Sequence, residues 1–260
     1  MADTFGRVAE VYMEGRPSYP SEWFSWLAAL TNHHSLAWDV GTGNGQAALG
    51  VAEHYKQVIA TDTSEEQLKH ANPHPKVRYL HTPLSMSDDQ LVGLVGSENS
   101  VDLITVAVAV HWFDLQRFYG LVNRLLKKPG GVIALWTYYP IQVSPEVDII
   151  VRHFYERGLP YLSRQGLCSF EGYKALPFPF ESIGSGLEGQ PLELDMPKDM
   201  SCRGFLGYLR SWPQVQTAAE GGVELLPEET VAEIESAWGG SELVRTVIYK
   251  SFMLIGKVKQ

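Results

Sequence analysis

Leu36-Ala37-Trp38-Asp39-Val40-Gly41-Thr42-Gly43-Asn44-Gly45-Gln46-Ala47-Ala48-Leu49 decides how this chain is read. An apolar run leads into three glycines at alternate positions and a second apolar run follows, which is the pattern of strand, glycine turn and helix. Glycines without a Cβ let the backbone come close to a ligand. Such crevices, at the carboxyl ends of strands in open parallel sheets, take nucleotide-like cofactors. The dinucleotide fingerprint G-x-G-x-x-G fails, because counting from Gly41 puts Gln46 where its last glycine belongs. That count argues against a nicotinamide-dependent oxidoreductase, the second enzyme class this turn could serve.

Outward from the turn, strands and helices alternate as in a parallel sheet covered on both faces. Leu36 to Val40 reads as the first strand and Gln46 to Tyr55 as the first helix. Val58 to Thr61 is a second strand, ending at Asp62. Ser64 and Gln67 form a capping box for a helix through Ala71, which Asn72-Pro73-His74-Pro75 stops. Val77 to His81 is a third strand. Val101 to Ala107 is a fourth, continuous enough in apolar residues to be buried on both faces. Asp114 caps a helix through Leu126, and Val132 to Trp136 is the fifth strand. After Tyr138 the rhythm breaks. Pro145 to Arg157 looks helical, whereas 158–191 is rich in Gly, Pro and aromatics with little period. Leu192 to Met196 alternates like a strand, Cys202 to Trp212 and Pro227 to Trp238 are helices, and Val244 to Val258 is a long closing strand, expected to form a hairpin with the strand before it.

The 260 residues suit one domain, or one with an insertion. A formal net charge of −9 argues against nucleic acid as substrate, since phosphate binding needs a positive face. Cys168 and Cys202 have no metal-site or disulfide spacing and no activating neighbour, so a reducing, cytoplasmic setting and inert thiols are expected. The N-terminus lacks the apolar core of a signal peptide, and Val101 to Val110 is too short to span a bilayer. No membrane partner is expected, and no metal.

Asp62 follows Gly43 by nineteen positions at the end of the second strand. A carboxylate there can accept both hydroxyls of a ribose, each charge-assisted bond contributing about 1.5–3 kcal/mol; it can equally cap the next helix. An acid two residues before Gly-x-Gly-x-Gly is what S-adenosylmethionine sites look like, and the chain resembles class I S-adenosylmethionine-dependent methyltransferases. It is most similar to the type 11 branch that holds trans-aconitate and farnesoic acid methyltransferases and plant relatives. Four further segments carry the likeness: Tyr12-Met13-Glu14-Gly15-Arg16-Pro17-Ser18-Tyr19-Pro20, Ala109-Val110-His111-Trp112-Phe113-Asp114, Leu126-Lys127-Lys128-Pro129-Gly130-Gly131 leading into Trp136, and Gly207-Tyr208-Leu209-Arg210-Ser211-Trp212.

The resemblance implies a Rossmann-like α/β fold: a seven-stranded, mostly parallel sheet with helices on both faces, its last strand antiparallel, and a small helical or irregular cap. Within one domain, 1–35 would cover the cofactor, 36–138 bind it, 139–212 cap the substrate, and 213–260 add a helix and the closing strand. Asp39, Gly41, Thr42, Gly43 and Asp62 would contact the methionyl and ribose parts of S-adenosylmethionine. Leu84 and Ser85 fall at the adenine position, although many relatives have an acid where Ser85 stands. Val106, Ala107 and His111 would line the cofactor near its sulfonium, with Val108 where the branch often has glutamine. Tyr12, Arg16 and Tyr19 would fold over it, and S-adenosylhomocysteine would be the product.

Trp112, Phe113, Trp136 and Tyr138 have a rationale of their own as substrate-side residues. Aromatic faces attract a sulfonium cation by about 0.5–2 kcal/mol and exclude water, although single aromatics more often serve as core. About half of these four are expected to touch ligand. His111 is either a general base for a hydroxyl, thiol or amine, or a hydrogen-bonding group that positions the cofactor, or a structural histidine. An ionised carboxylate needs no base, which favours positioning. Arg210, between Tyr208 and Trp212, is a candidate for gripping a carboxylate, with a surface ion pair as the even alternative; Arg152, Arg157 and Arg164 are weaker ones. The expected reaction is in-line methyl transfer to a small-molecule nucleophile, a carboxylate oxygen first. Transfer to nitrogen or sulfur with His111 as base, and a non-catalytic binding module, are the alternatives. The Asp/Asn-Pro-Pro-aromatic motif of nucleobase amino-methyltransferases is absent after the fourth strand.

Overall fold

The computed structural model describes residues 17–183 and 190–258. Its first helix, α1 (Ser21–Ala29), precedes five parallel strands: β1 (Leu36–Val40), β2 (Gln57–Asp62), β3 (Val77–His81), β4 (Leu103–Ala107) and β5 (Val132–Gln142). Between them lie α2 (Gln46–Ala52), α3 (Glu65–Lys69), α4 (Asp88–Val95) and α5 (Leu115–Leu125). The parallel part is ordered β3-β2-β1-β4-β5. The order therefore reverses between β1 and β4, and a crevice opens outside their carboxyl ends.

The remaining elements extend the sheet and cap it. They are α6 (Pro145–Gly158), α7 (Arg164–Phe170), β6 (Glu181–Ser182), β7 (Leu192–Ser201), α8 (Cys202–Arg210), α9 (Pro213–Glu220), α10 (Glu228–Trp238) and β8 (Val244–Lys257). β8 runs antiparallel to β5, and its other side pairs with both β6 and β7. β6 lies opposite Gly256 and Lys257, β7 opposite Val244 to Met253. The two strands share one edge, so eight strands make a sheet seven wide. β7 is part of the sheet although it falls within the stretch expected to be cap. It pairs antiparallel with β8 as expected, and the helices expected between them are α8 and α10, with α9 added.

Period-two alternation sends successive side chains to opposite faces. Ala37, Val58, Ala60, Leu103, Ala134 and Trp136 pack under α1, α2, α6 and α8. Trp38, Ile59, Ile104, Val106, Ile133 and Leu135 pack against α4 and α5. Both faces are covered, which is why these strands read as unbroken apolar runs. β5 continues past Trp136 to Gln142, with a register shift between Tyr138 and Ile141 beside Pro140, which has no N–H to give. Among the described residues, no helix is long and apolar enough to cross a membrane.

Candidate active site

The turn after β1 is held in a shape that only glycine adopts freely. Gly41, Gly43 and Gly45 have φ of +64°, +57° and +89°. A Cβ on Gly41 would stand 2.7 Å from the Ala109 Cβ, so the turn is pressed against the loop after β4. A Cβ on Gly45 would strike the Tyr79 ring. Gly43 differs: among the described residues only Gln67 Oε1, at 3.8 Å, comes within 4 Å of that position. The turn is packed at both ends and open in its middle, facing the crevice.

Two acids fix the turn from opposite sides. Asp62, half-buried at the end of β2, accepts the Gly43 amide at 2.8 Å and the Ser64 amide at 2.8 Å, one on each carboxylate oxygen. It is both helix cap and turn anchor. A carboxylate has roughly four acceptor positions, so two remain for other donors. Asp39 is wholly buried and accepts the Thr42 and Thr105 hydroxyls, each at 2.6 Å. Burial raises its carboxyl from 3.8 to about 6, opposed by these hydrogen bonds and reinforced by the nearby charge of Asp62. Its expected contact with a ligand is corrected: unlike Asp62 it is sealed from the surface beneath the turn, so Asp39 acts through Thr42.

The loop after β4 forms the other wall. Val108 leaves the strand with φ +54°, a left-handed conformation that costs a β-branched residue strain. Its amide donates to the Trp136 carbonyl at 2.8 Å. A short 3₁₀ turn, Val110–Trp112, follows. Phe113 packs on Phe118 and faces Gly41; Trp112 is 41% exposed. His111 Nδ1 lies 2.9 Å from the Tyr173 hydroxyl. Tyr19 packs edge-on to Trp136, ring centres 5.4 Å apart.

Comparison with known proteins converges on one family. Residues 38–135 match the family described as a methyltransferase domain. A Dictyostelium discoideum protein named as a methyltransferase is 30% identical over 98% of this chain and 95% of its own. The chain belongs to the class I S-adenosylmethionine-dependent methyltransferases. A solved structure from Anaeromyxobacter dehalogenans, titled a type II methyltransferase, superposes with a TM-score of 0.80 at 32% identity, covering 94% of this chain and 99% of that one. A Mycobacterium tuberculosis protein named as a methyltransferase is 33% identical over 52% of each chain. The mostly parallel sheet with an antiparallel final strand is the methyltransferase fold, and S-adenosylmethionine is the cofactor of this family.

The residues present fit that group. Gly43 leaves the space a close-lying ligand needs, and Asp62 keeps acceptor positions for hydroxyls beside it. Leu84 and Ser85 are exposed in the loop after β3, with Leu84 at 81%; Arg117 ties this loop down through the Leu84 and Met86 carbonyls. Ala107 lies half-buried at the end of β4. Val106 turns its side chain into the core of the opposite face, so only its backbone can border the crevice.

The substrate-side expectations divide. Trp136 is fully buried beneath Tyr19, Trp23 and Phe24, so its expected contact with substrate is corrected to a core position; among the described residues its indole N–H has no partner. Tyr138 is half-buried against Tyr249. Arg210 is corrected too. It ends α8 on the solvent side, while Cys202, Phe205, Leu206 and Leu209 fill the buried face. Arg152, Arg157 and Arg164 are exposed, but Arg157 is not simply solvated: it donates to the Thr230 hydroxyl at 3.0 Å and the Leu225 carbonyl at 3.4 Å. Burial raises both thiols, Cys202 to about 11, so neither is an activated nucleophile. Tyr12 and Arg16 lie outside the described residues.

Two residues at the site were not among the site candidates of the sequence reading. Thr105 was detectable as a polar side chain inside a buried apolar strand. Tyr173 sits in the stretch without period, and no pattern marks it.

Proposed function

We propose that this methyltransferase acts on a small molecule and that a carboxylate oxygen receives the methyl group. When bound, S-adenosylmethionine supplies a methyl group on a positively charged sulfur. Asp62 would accept the ribose hydroxyls, and the Gly41–Gly43 backbone, Thr42 and Ala107 would border the methionyl side. Leu84 offers apolar surface for the adenine. Tyr19, Trp112 and Phe113 would exclude water around the reacting atoms, and His111 would position the ligand.

The observation that carries this reading is the Asp62 carboxylate, anchored by two amides beside the open face of Gly43. The choice of acceptor rests on chemistry. An ionised carboxylate arrives without a proton to lose, so alignment alone can drive the transfer. Likeness to the trans-aconitate and farnesoic acid branch supports it. The acidic balance of the chain supports a small molecule over nucleic acid. A second reading, transfer to a nucleophile that must be deprotonated, is favoured by the His111–Tyr173 hydrogen bond, which could serve a base.

Incubating the protein with isotopically labelled methyl donor and a metabolite extract tests the proposal. Label in a base-labile ester is the expected outcome. Label on nitrogen or sulfur overturns the carboxylate acceptor and leaves the second reading. Failure to bind S-adenosylhomocysteine overturns both.

A further inference from the structure

His111 rides on a turn too short to fix a side chain by itself. The 3₁₀ turn Val110–Trp112 has three residues, closed by the Trp112 amide on Ala109 and the Phe113 amide on Val110, both at 3.0 Å. Tyr173 meets this turn from the cap. Its hydroxyl lies 2.9 Å from His111 Nδ1, across 62 positions of sequence. Burial raises the phenol well above the usual tyrosine range, so it meets the ring as a hydroxyl and not as a phenolate. A hydroxyl can donate or accept, so the contact holds whichever ring nitrogen carries the imidazole proton.

The chain around Tyr173 is built to hold that hydroxyl still. Gly172 and Tyr173 have φ of +69° and +59°, two left-handed residues in succession. A bulky side chain is strained there and persists only where its surroundings over-determine it. Three anchors do so. The Ser169 and Thr137 hydroxyls, both buried and 2.6 Å apart, pin the end of α7 to β5. A Cβ on Gly172 would stand 2.7 Å from the Phe252 ring, so the turn is pressed against β8. Beyond Tyr173, the Tyr119 hydroxyl of α5 donates to the Pro177 carbonyl at 2.6 Å. α7 itself packs on the 110–112 turn. One hydroxyl is thus carried to one ring nitrogen by a segment tied to two strands and a helix, the rigid support that a precise side chain needs.

We propose that Tyr173 is a positioning residue, which sets the plane of the His111 ring at the cofactor crevice before ligand arrives and acts on the ligand through His111. The inference rests on the methyltransferase reading, which places the cofactor beside this histidine. The cap then shapes the cofactor site without touching the cofactor.

Calorimetry of S-adenosylhomocysteine binding to wild type, Tyr173→Phe, His111→Ala and the double variant tests this. Tyr173→Phe should raise Kd about 3- to 10-fold, the size of one hydrogen bond. In the His111→Ala background the same change should leave Kd where it was, because the route to the ligand is gone. Unchanged affinity in either single variant overturns the proposal, and so do losses that add in the double variant. A role in packing alone would lower Tm and leave Kd unmoved. Ring relaxation of His111 in unliganded protein, with its signals assigned by their loss in His111→Ala, should report one rigid orientation in wild type and added motion in Tyr173→Phe. A freely turning ring in wild type overturns the proposal even if Tyr173→Phe does not fold. Wild type that binds no S-adenosylhomocysteine defeats the methyltransferase reading instead, while the ring measurement still decides the positioning.

Discussion

Asp39 and Asp62 end neighbouring strands, yet one is sealed beneath the turn and the other stands at its lip. The 19-residue spacing made Asp62 readable as a ribose ligand, because strand, helix and strand fix how far apart two such ends lie. Nothing in the sequence tells which of Asp39's neighbours take its oxygens, since Thr105 arrives from another strand. Asp62→Ala should weaken S-adenosylhomocysteine binding by about 3 kcal/mol, the sum of two charge-assisted bonds at the low end of their range. Calorimetry showing wild-type affinity would remove Asp62 from the site. For Asp39 the test is pH. Its carboxyl titrates near 6 when folded against 3.8 ordinarily, so between those values the folded chain holds the extra proton. Its contribution to stability therefore rises as pH falls through that window and is least above pH 6. Asp39→Asn should remove this component, and the difference between the two proteins' denaturation free energies should change by on the order of 3 kcal/mol from pH 7 to pH 4. A constant difference would show that the carboxyl is not perturbed.

Helix starts and turns were legible where their chemistry is local. Ser64 accepts the Gln67 amide as the Ser-x-x-Gln pattern requires. The same pattern at Ser87 and Gln90 makes a full capping box for α4, a helix the reading passed over although its signal was in plain view. α1 was missed for the opposite reason: Pro20 caps it without a side-chain bond, and its definition comes from packing, with Phe24 against Gly50 of α2. In the glycine turn, conformation and crowding can be separated. Gly222 has φ +75°, and among the described residues nothing comes within 4 Å of a Cβ added there, so Gly222→Ala meets strain alone, about 1–2 kcal/mol. Gly41→Ala meets the same strain and the Ala109 contact, so it should cost more and lower cofactor affinity as well. Equal melting shifts for the two variants would show that the turn is not pressed on the β4 loop.

Across the whole molecule, the parallel half was readable strand by strand because burial on both faces writes continuous apolar runs. The second half was not. Phe170, within the irregular stretch 158–191, packs among Tyr139, Tyr155 and Trp212, and the four rings come from four separate segments, so no period within any one marks the contact. β8 binds the halves together, with β5 on one side and β6 and β7 on the other. Leu254, 2% exposed on this strand, should cost about 2–5 kcal/mol when cut to alanine and lower one shared unfolding transition. Leu192, half-buried on β7, should cost less. Two separate transitions in urea would show that β8 does not join the halves.

The position of β8 also bears on how the protein is made. A strand that leaves the ribosome after the seven described before it must slip between two partners already waiting for it. Until then, a nascent chain presents two raw backbone edges, along β5 and β7, to whatever else is in the cell. Chaperone capture during translation should therefore persist until the segment 244–257 emerges.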